Sequence, residues 1–265
     1  MRAACDWKAH PFIAMIEPLT WHGTTISLYR LYRDLAHWWP LLSPAEEYLD
    51  EANFFIQLFD ERHLPINASL LEFGAGGGHN ACHMKSRFSK VVLTDQSEAM
   101  LAVSRTLNPD CEHRKGDMRT LALGCTFDAV FVHDAIDYMC TRQDLASLLR
   151  NVARHCRPGG WALLAPDHMA ETFVPATEHG GSDAEDRSIR YLEWSHDPNP
   201  EDEMITVDYV YVMREQGAPP SIIHESHHCG LFSRKVWSDE LRSAGFLPET
   251  LVDPFGREIF IARRG

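Results

Sequence analysis

Alternating apolar and polar positions divide the middle of the chain into strands and helices. Short apolar runs at 68–73, 90–95, 127–133 and 161–166 predict strands. Before the last run, apolar residues recur at helical spacing and predict an amphipathic helix: Leu145, Leu148, Leu149, Val152 and Cys156. Strands that alternate with helices in this order are typical of an α/β fold.

The flanking segments have different periodicities. Residues 24–38 and 44–63 predict two helices, and the second carries an apolar stripe. Residues 168–186 predict a polar loop. Period-two alternation then predicts an antiparallel insertion that covers the open edge of a site, with strands over 189–194, 204–213 and 221–231. The last two predicted strands, 247–252 and 258–262, form a closing hairpin.

A glycine-dense turn follows the first predicted strand. Gly74, Gly76 and Gly78 permit positive φ and let a ligand approach the backbone closely. A helix is expected over residues 79–88, directly after the turn. A dinucleotide fingerprint would need a small third residue where this chain has His79, so a dinucleotide-dependent oxidoreductase is the less favoured interpretation.

An acidic residue, Asp95, ends the second predicted strand. A carboxylate at this position accepts hydrogen bonds from both ribose hydroxyls of a nucleoside ligand, so we expect Asp95 to bind ribose, with Gln96 beside it. The alternative is a solvated loop acid. Ser97 is placed to cap the next helix.

The sequence Glu-x-Gly-x-Gly-x-Gly at 72–78 resembles motif I of class I S-adenosylmethionine (SAM) methyltransferases. Four later segments match that family in the right order: Asp95, Gly116-Asp117-Met118, the run 127–139, and a helix followed by Arg157-Pro158-Gly159-Gly160 and a strand. The resemblance implies SAM as cofactor and a seven-stranded, mostly parallel Rossmann-like sheet with helices on both faces. N-terminal helices and the antiparallel β insertion would cover the site.

The resemblance also assigns cofactor contacts. In motif I the predicted cofactor-binding residues are Glu72, Gly74, Ala75 and Gly76. Asp117 is expected to contact the adenine amine, and Met118 to pack on the adenine ring. His133 finishes the fourth strand, and we expect it to contact the cofactor through its backbone rather than to catalyse.

Methyl transfer from a sulfonium is an in-line displacement, so alignment and exclusion of water supply much of the acceleration, up to about 7–11 kcal/mol in well-oriented systems. A hydroxyl or ammonium acceptor must also lose a proton to a nearby carboxylate, His or Tyr. Asp134 and Tyr138 follow motif IV, whose end faces the methyl group in the family, and we predict that they orient the acceptor. Asp134 also fits the plainer role of a helix-start acid.

The flanks carry a second resemblance, to the nucleotide-aminosugar N-methyltransferases of bacterial antibiotic pathways. It rests on Tyr-Arg-Asp-Leu-Ala at 32–36, Glu-Tyr at 47–48, the covering strands and the run 227–232. That family places a histidine just after motif IV, where this chain has Asp137-Tyr138.

Three flanking residues are predicted to bind substrate: Tyr32, Tyr48 and His228. The two tyrosines have polar tips, which either roof a pocket or pack as core. The segment 224–229 holds several potential metal ligands, but alternate side chains of an extended segment point to opposite faces. Structural zinc sites also favour spaced pairs, so we predict no metal site.

Composition and net charge restrict the kinds of partner expected for this chain. The chain has 265 residues with 25 basic and 38 acidic side chains, a net charge of −13. Nucleic-acid binding needs clustered Lys and Arg, which are not visible, and no apolar run is long enough to span a bilayer. Seven cysteines without a close pairing pattern favour a reducing cytoplasm. We predict a cytoplasmic protein with a small-molecule methyl acceptor, no nucleic-acid or membrane partner, and homodimerisation left open.

These assignments divide a single domain into five segments: a mobile leader (1–23), N-terminal helices that contribute to the site (24–65), the SAM-binding core (66–166), the antiparallel insertion or lid (167–232) and the end of the core sheet (233–265). The predicted function is methyl transfer from SAM to an N or O atom of a small metabolite. A catalytically inactive SAM-binding partner or sensor would keep the same glycine turn and ribose acid, so it stays open here.

Overall fold

The computed structural model describes residues 29–265. The predicted leader, 1–23, and the first residues of the predicted helix 24–38 lie outside the described residues. Eleven strands are present in the described part: β1 (Ser69–Phe73), β2 (Lys90–Asp95), β3 (Glu112–Lys115), β4 (Phe127–Val132), β5 (Cys156–Leu164), β6 (Ala176–Asp183), β7 (Arg187–His196), β8 (Met204–Glu215), β9 (Ser221–Gly230), β10 (Phe246–Val252) and β11 (Glu258–Arg264).

The α-helices of the described part are α1 (Trp39–Leu42), α2 (Leu49–Glu61), α3 (His79–Met84), α4 (Glu98–Leu107), α5 (Arg142–His155) and α6 (Arg234–Ser243). Short 3-10 turns precede or continue several of them. The Ser97 side chain accepts a hydrogen bond from the Met100 N–H at the start of α4, which is the cap expected from the sequence.

The larger sheet has seven strands in the order β10-β11-β5-β4-β1-β2-β3. The five strands from β3 to β5 are parallel, and β11 joins the edge antiparallel to both β5 and β10. The predicted seven-stranded, mostly parallel sheet with a closing hairpin is therefore confirmed.

Helices cover both faces of this sheet. Leu71 of β1 belongs to a buried cluster with residues of α5 and α6, whereas its neighbour Leu70 belongs to a second cluster with residues of α2 and α3. Strands that are buried on both faces read as continuous apolar runs rather than as alternating ones, which is why β1, β2 and β4 were visible in the sequence.

The smaller sheet is antiparallel, in the order β6-β7-β8-β9. Three of its strands match the predicted insertion, but β6 lies where the sequence predicted a polar loop. Most residues of β6 are exposed, and the strand sits at the edge of the sheet, paired only with β7. Main-chain hydrogen bonds hold this strand without an apolar face, so its sequence lacks the alternation of a half-buried strand.

The segment before α2 also differs from the prediction. Instead of one helix up to residue 38, the described part forms two 3-10 turns, Arg30–Tyr32 and Ala36–Trp38, followed by the four-residue α1. Leu31, Leu35 and Trp38 pack on the smaller sheet in one buried cluster. Tertiary packing against this sheet therefore outweighs the local helical preference.

Candidate active site

A cavity of about 480 Å³ lies at the carboxyl ends of β1, β2 and β4. Its walls come from the glycine turn and from the residues after β2 and β4, and it extends to Val207, Tyr209 and Cys229 of the smaller sheet. The carboxyl edge of an open α/β sheet is where ligands bind in this class of fold. The volume is within the range of small-molecule and cofactor sites.

The glycine turn closes tightly over the start of the cavity. Gly74 has a φ of +67° and Gly76 a φ of +52°, which residues with side chains rarely adopt. A Cβ on Gly74 would also overlap the Cβ of Ala135, the second residue after His133. The turn therefore needs glycine for its backbone conformation and for its contact with the segment after β4.

Asp95 is held at the cavity by the backbone. The Gly76 N–H donates to its Oδ2 at 2.9 Å, and the Ser97 N–H donates to its Oδ1 at 2.7 Å. Burial raises the pKa of this carboxyl, while the two amide hydrogen bonds lower it. Each oxygen keeps a further lone pair, so the predicted contact with two ribose hydroxyls is compatible with this geometry.

Glu72 is a buried acid in the cavity wall. Its side chain is 2% exposed, and its Oε2 has no hydrogen-bond partner among the described residues. Burial raises the pKa of Glu72 to about 8, which leaves the carboxyl mostly protonated at neutral pH. An unpartnered buried carboxyl costs free energy, so a ligand that donates to Oε2 would relieve that cost.

Some of the residues predicted to contact adenine lie at the cavity and others do not. Ala75, Gln96 and Met118 line the cavity, but Asp117 does not. The Asp117 carboxylate instead accepts hydrogen bonds from the Arg119 guanidinium, with its Oδ2 2.7 Å from an Arg119 Nη. Arg119 also reaches Asp144 at the start of α5 at 2.6 Å. Arg119 uses part of the accepting capacity of this carboxylate, and the contact between Asp117 and the adenine amine stays a prediction.

His133 and Asp134 form part of a buried charge network after β4. The His133 Nε2 lies 2.9 Å from Glu51 Oε1 of α2, and its Nδ1 lies 2.7 Å from Asp134 Oδ1. The two carboxylates raise the pKa of His133 despite its burial, and they favour an imidazolium. The His133 side chain is thus engaged by two carboxylates, and its backbone contact with the cofactor stays a prediction.

Arg257, from the turn between β10 and β11, completes this network. It pairs with Glu51, with Asp167 at 3.1 Å and with Asp253 at 2.8 Å, and lies 3.7 Å from Asp134. His133 and Arg257 hold the pKa of Asp134 below its ordinary value, although burial opposes them. Asp134 is therefore an ionised carboxylate in the cavity wall.

Asp137 and Asp167 are two further acids of the cavity wall near Asp134. The Asp167 N–H donates to Asp137 Oδ2 at 3.1 Å, and both residues line the cavity. Burial and the neighbouring carboxylates raise the pKa of Asp167 to about 7 and raise that of Asp137 well above its ordinary value. Asp137 is the buried member of the two, so its carboxyl favours the protonated form, whereas Asp167 also pairs with Arg257.

Two of the residues predicted on the acceptor side, Tyr32 and Tyr138, are in contact with each other. The hydroxyls of Tyr32 and Tyr138 lie 2.8 Å apart, and both side chains line the cavity. Tyr48 lines it as well, with its hydroxyl 2.8 Å from the Ser43 Oγ.

His228 is not in the cavity lining, because it points to the other face of β9. It is paired across the sheet with Thr206, whose Oγ1 lies 3.3 Å from its Nδ1. The neighbouring His227 pairs with Val207, a cavity residue, and its Nδ1 lies 2.8 Å from the Tyr138 hydroxyl. Neither histidine lines the cavity, and the substrate contact of His228 stays a prediction; the alternation of inward residues on β8 indicates that His227, not His228, is on the cavity side of β9.

Several site residues gave no sequence signal. Glu51 and Arg257 are separated by 206 positions and meet only in the folded chain. Residues that do line the cavity and that the sequence reasoning did not assign to the site are Asp167, His168, Glu178, Glu193, Val207, Tyr209 and Cys229.

The cavity lining is strongly acidic. It contains seven carboxyl groups, and no Lys or Arg of residues 29–265 belongs to it: Glu72, Asp95, Asp134, Asp137, Asp167, Glu178 and Glu193. Glu178 and Glu193 are cross-strand neighbours on β6 and β7, and burial raises the pKa of Glu193 to about 7. The carboxyls that stay ionised, Asp134 among them, favour positively charged or hydrogen-donating ligands over anions.

The described residues fit SAM. An unpartnered acid at Glu72, an amide-held acid at Asp95 and a close backbone turn at Gly74 suit a ligand with an ammonium group, a ribose and a purine. No group of three or more His, Cys, Asp or Glu within residues 29–265 is arranged to hold a metal ion. Over the same range, no helix has the length and apolarity needed to cross a membrane.

Comparisons with known proteins agree with this site. A family model described as a methyltransferase domain matches residues 70–160. The dTDP-4-amino-2,3,4,6-tetradeoxy-D-glucose N,N-dimethyltransferase of Saccharopolyspora spinosa is 31% identical over 230 residues, which cover 83% of this chain and 88% of the relative. The dTDP-3-amino-3,4,6-trideoxy-alpha-D-glucopyranose N,N-dimethyltransferase of Streptomyces venezuelae is 27% identical over 222 residues, 83% of this chain and 92% of the relative.

A solved structure shows the same fold. The sugar N-methyltransferase KedS8 from Streptoalloteichus sp ATCC 53650 superposes with a TM-score of 0.78 at 24% identity, over 94% of this chain and 98% of that chain. Neither the oxidoreductase interpretation nor the inactive-partner interpretation finds support in these likenesses. The chain belongs to the class I SAM-dependent methyltransferases, with aminosugar N,N-dimethyltransferases among its relatives and a small molecule as its methyl acceptor.

Proposed function

We propose that this enzyme methylates the nitrogen of a small amine, and that an amino sugar is the acceptor class. The relatives named above act on amino sugars carried on dTDP. The observation that carries the proposal is the acidic lining of the cavity, which favours an ammonium or amine over a carboxylate or phosphate acceptor.

The cofactor side supplies binding and alignment. The backbone of Gly74 and Gly76 allows a close approach, Asp95 accepts the ribose hydroxyls, and Glu72 pairs with the ammonium of the cofactor's amino acid moiety. When bound, SAM supplies a methyl group that its sulfonium already activates. The protein therefore has to orient the acceptor nitrogen and exclude water, rather than activate a leaving group.

The acceptor side handles the proton. An amine that is protonated in solution must lose a proton before its lone pair can accept a methyl group. Asp134 is the ionised carboxylate of the cavity wall, kept so by His133 and Arg257, and we assign it as the group that receives this proton. Burial raises the pKa of Asp137 and of Asp167, so Asp134 is the stronger candidate for the base.

A three-acceptor assay tests the proposal. The full chain is incubated with SAM and a dTDP-linked amino sugar, the same amino sugar without its nucleotide, or the matching sugar with a hydroxyl in place of the amine. We expect mass spectrometry to find a methyl group on nitrogen in at least one of the two amines, and none on the hydroxyl analogue. Methylation of the hydroxyl analogue alone would contradict the proposal.

Comparing the two amine acceptors also measures how much the nucleotide contributes to binding. Because no Lys or Arg of residues 29–265 lines the cavity, the diphosphate is expected to bind outside it. The nucleotide should therefore change KM by less than about tenfold, because even one fully formed charged contact, worth at least roughly 1.5 kcal/mol, would change it by more. Cytoplasmic location and homodimerisation are retained as proposals, and sedimentation of the full chain tests the second.

A further inference from the structure

The Tyr138 hydroxyl has two fixed partners in the cavity wall. It lies 2.8 Å from the Tyr32 hydroxyl and 2.8 Å from the His227 Nδ1. The three side chains come from a 3-10 turn before α1, from the 3-10 turn after β4 and from β9. A tyrosine hydroxyl has one proton and two lone pairs, so two partners leave one direction for a third group.

His227 stands behind Tyr138 rather than in the cavity. Its side chain is 1% exposed, its ring stacks on Tyr29 with centroids 3.7 Å apart, and Tyr209 meets it edge-on at 4.9 Å. Its Nε2 has no hydrogen-bond partner among residues 29–265. Within residues 29–265, the hydrogen bond that this ring makes through its nitrogens is therefore the one to Tyr138.

Packing alone does not require a histidine at this position. Burying a ring nitrogen without a partner costs free energy, and an apolar side chain of similar size would fill the same space between aromatic rings without that cost. Burial lowers the pKa of His227 to about 3, so the ring is neutral and adds no positive charge next to a sulfonium. A neutral imidazole nitrogen either donates or accepts, depending on its tautomer.

We propose that His227 is a positioning residue for methyl transfer: its Nδ1 and the Tyr32 hydroxyl hold the Tyr138 hydroxyl in one orientation, with its remaining hydrogen-bonding direction open to the acceptor. The role rests on the proposed function only in that the acceptor carries a polar group beside the reacting atom. Tyr138 touches the acceptor, and His227 acts through Tyr138.

Two substitutions at His227 separate positioning from packing. In His227→Asn, the amide places a hydrogen-bonding atom close to the position of Nδ1, whereas His227→Leu fills the space without any polar atom. We expect His227→Leu to lower kcat/KM for the acceptor about 10-fold, as the loss of roughly 1.4 kcal/mol of transition-state stabilisation would. His227→Asn should stay within about threefold of the wild type, since it keeps the hydrogen bond to Tyr138.

The controls lie on the same strand and on the partner residue. His224→Asn changes an exposed histidine of β9 and should leave kcat/KM unchanged. Tyr138→Phe removes the same hydrogen bond without touching β9, so it tests the proposal even if His227→Leu does not fold. In that background, adding His227→Leu should cost no more than about twofold, because contacting residues are not additive. SAM affinity, measured by calorimetry, should stay near the wild-type value in all of these variants.

Three results would overturn the role of His227. Equal losses in His227→Leu and His227→Asn would indicate packing, a wild-type rate in His227→Leu would indicate no role, and additive losses with Tyr138→Phe would show that the two residues act independently. Each assay uses whichever acceptor the wild-type enzyme methylates. A hydroxyl product would therefore contradict the proposed function, yet leave the comparison of Leu with Asn intact.

Discussion

The two sides of the cavity are built in different ways. The cofactor side uses the glycine turn, Glu72 and Asp95, which lie within 25 consecutive positions on two adjacent strands. The acceptor side joins Tyr32 to Tyr138 across 106 positions, and Tyr138 to His227 across 89. A site for one constant cofactor is thus made from local backbone, while a site for a specific acceptor is made from distant side chains.

This difference has a functional consequence. Backbone amides and tight turns have few alternatives, so changes on the cofactor side should weaken SAM binding itself. Changes to acceptor-side side chains leave the glycine turn and Asp95 in place, so they should lower turnover and spare SAM affinity. For each variant, the loss in turnover relative to the loss in SAM affinity measures how independent the two sides are.

The largest effect is expected from Gly74→Ala. The new side chain meets Ala135 and adopts an unfavourable positive φ, costs of roughly 1–3 and 1–2 kcal/mol, so SAM affinity should fall about 100- to 1,000-fold. Gly124→Ala is the matched control, since Gly124 has a φ of +72° but nothing within 4 Å of an added Cβ. Calorimetric titration with SAM gives both values; similar affinities for the two variants would contradict the role of the Ala135 contact.

Asp134→Asn tests the acceptor side. The amide keeps the shape but cannot take a proton, so kcat should fall about 100-fold, the lower end of general acid–base contributions. SAM affinity should change by less than about threefold, since the interactions that change are mainly with the acceptor and the His133 network. Equal losses in turnover and in affinity would show that the two sides are not separate.

Asp95→Asn tests the cofactor side directly. Loss of the charged acceptor for the ribose hydroxyls should weaken SAM binding about 10- to 30-fold, in line with roughly 1.5–2 kcal/mol for a charge-assisted hydrogen bond. Asp117→Asn is its counterpart after β3 and should change SAM affinity by less than about threefold, because the Asp117 carboxylate is engaged by Arg119. A loss at Asp117 that equals the loss at Asp95 would support the adenine contact predicted from the sequence.

The smallest effect concerns pH. Because the pKa of Glu72 is raised to about 8 from an ordinary value of 4.5, binding of the SAM ammonium must release its proton. SAM affinity should therefore rise about 3- to 10-fold between pH 7 and 8, and Glu72→Gln should flatten this rise. The same shift destabilises the free protein as the pH rises from about 4.5 to about 8, since the unfolded chain releases the proton first. Calorimetry in buffers of different ionisation heat detects the proton; no release at pH 7 would contradict the assignment.

The elements that the sequence predicted well are those with a local physical cause. Buried strands such as β1 and β2 are apolar throughout, and Ser97 caps α4 through a bond to a residue three positions away. The exposed edge strand β6 and the two 3-10 turns before α1 were not predicted, because neighbouring strands and the smaller sheet stabilise them. Asp117 was assigned by its place in a motif, and the sequence contained no sign that Arg119 would pair with it.

By itself, the order of glycine turn, acidic strand ends and amphipathic helices determined the class of fold, the cofactor and the edge of the sheet where it binds. These follow from φ preferences, strand alternation and hydrogen bonds that act over a few residues. Only the tertiary structure decided that Arg257 and Glu51 hold His133 and Asp134, that His227 rather than His228 faces Tyr138, and that the cavity is acidic. Such contacts depend on strand register and on packing between segments up to 206 positions apart, which no local pattern in the chain encodes.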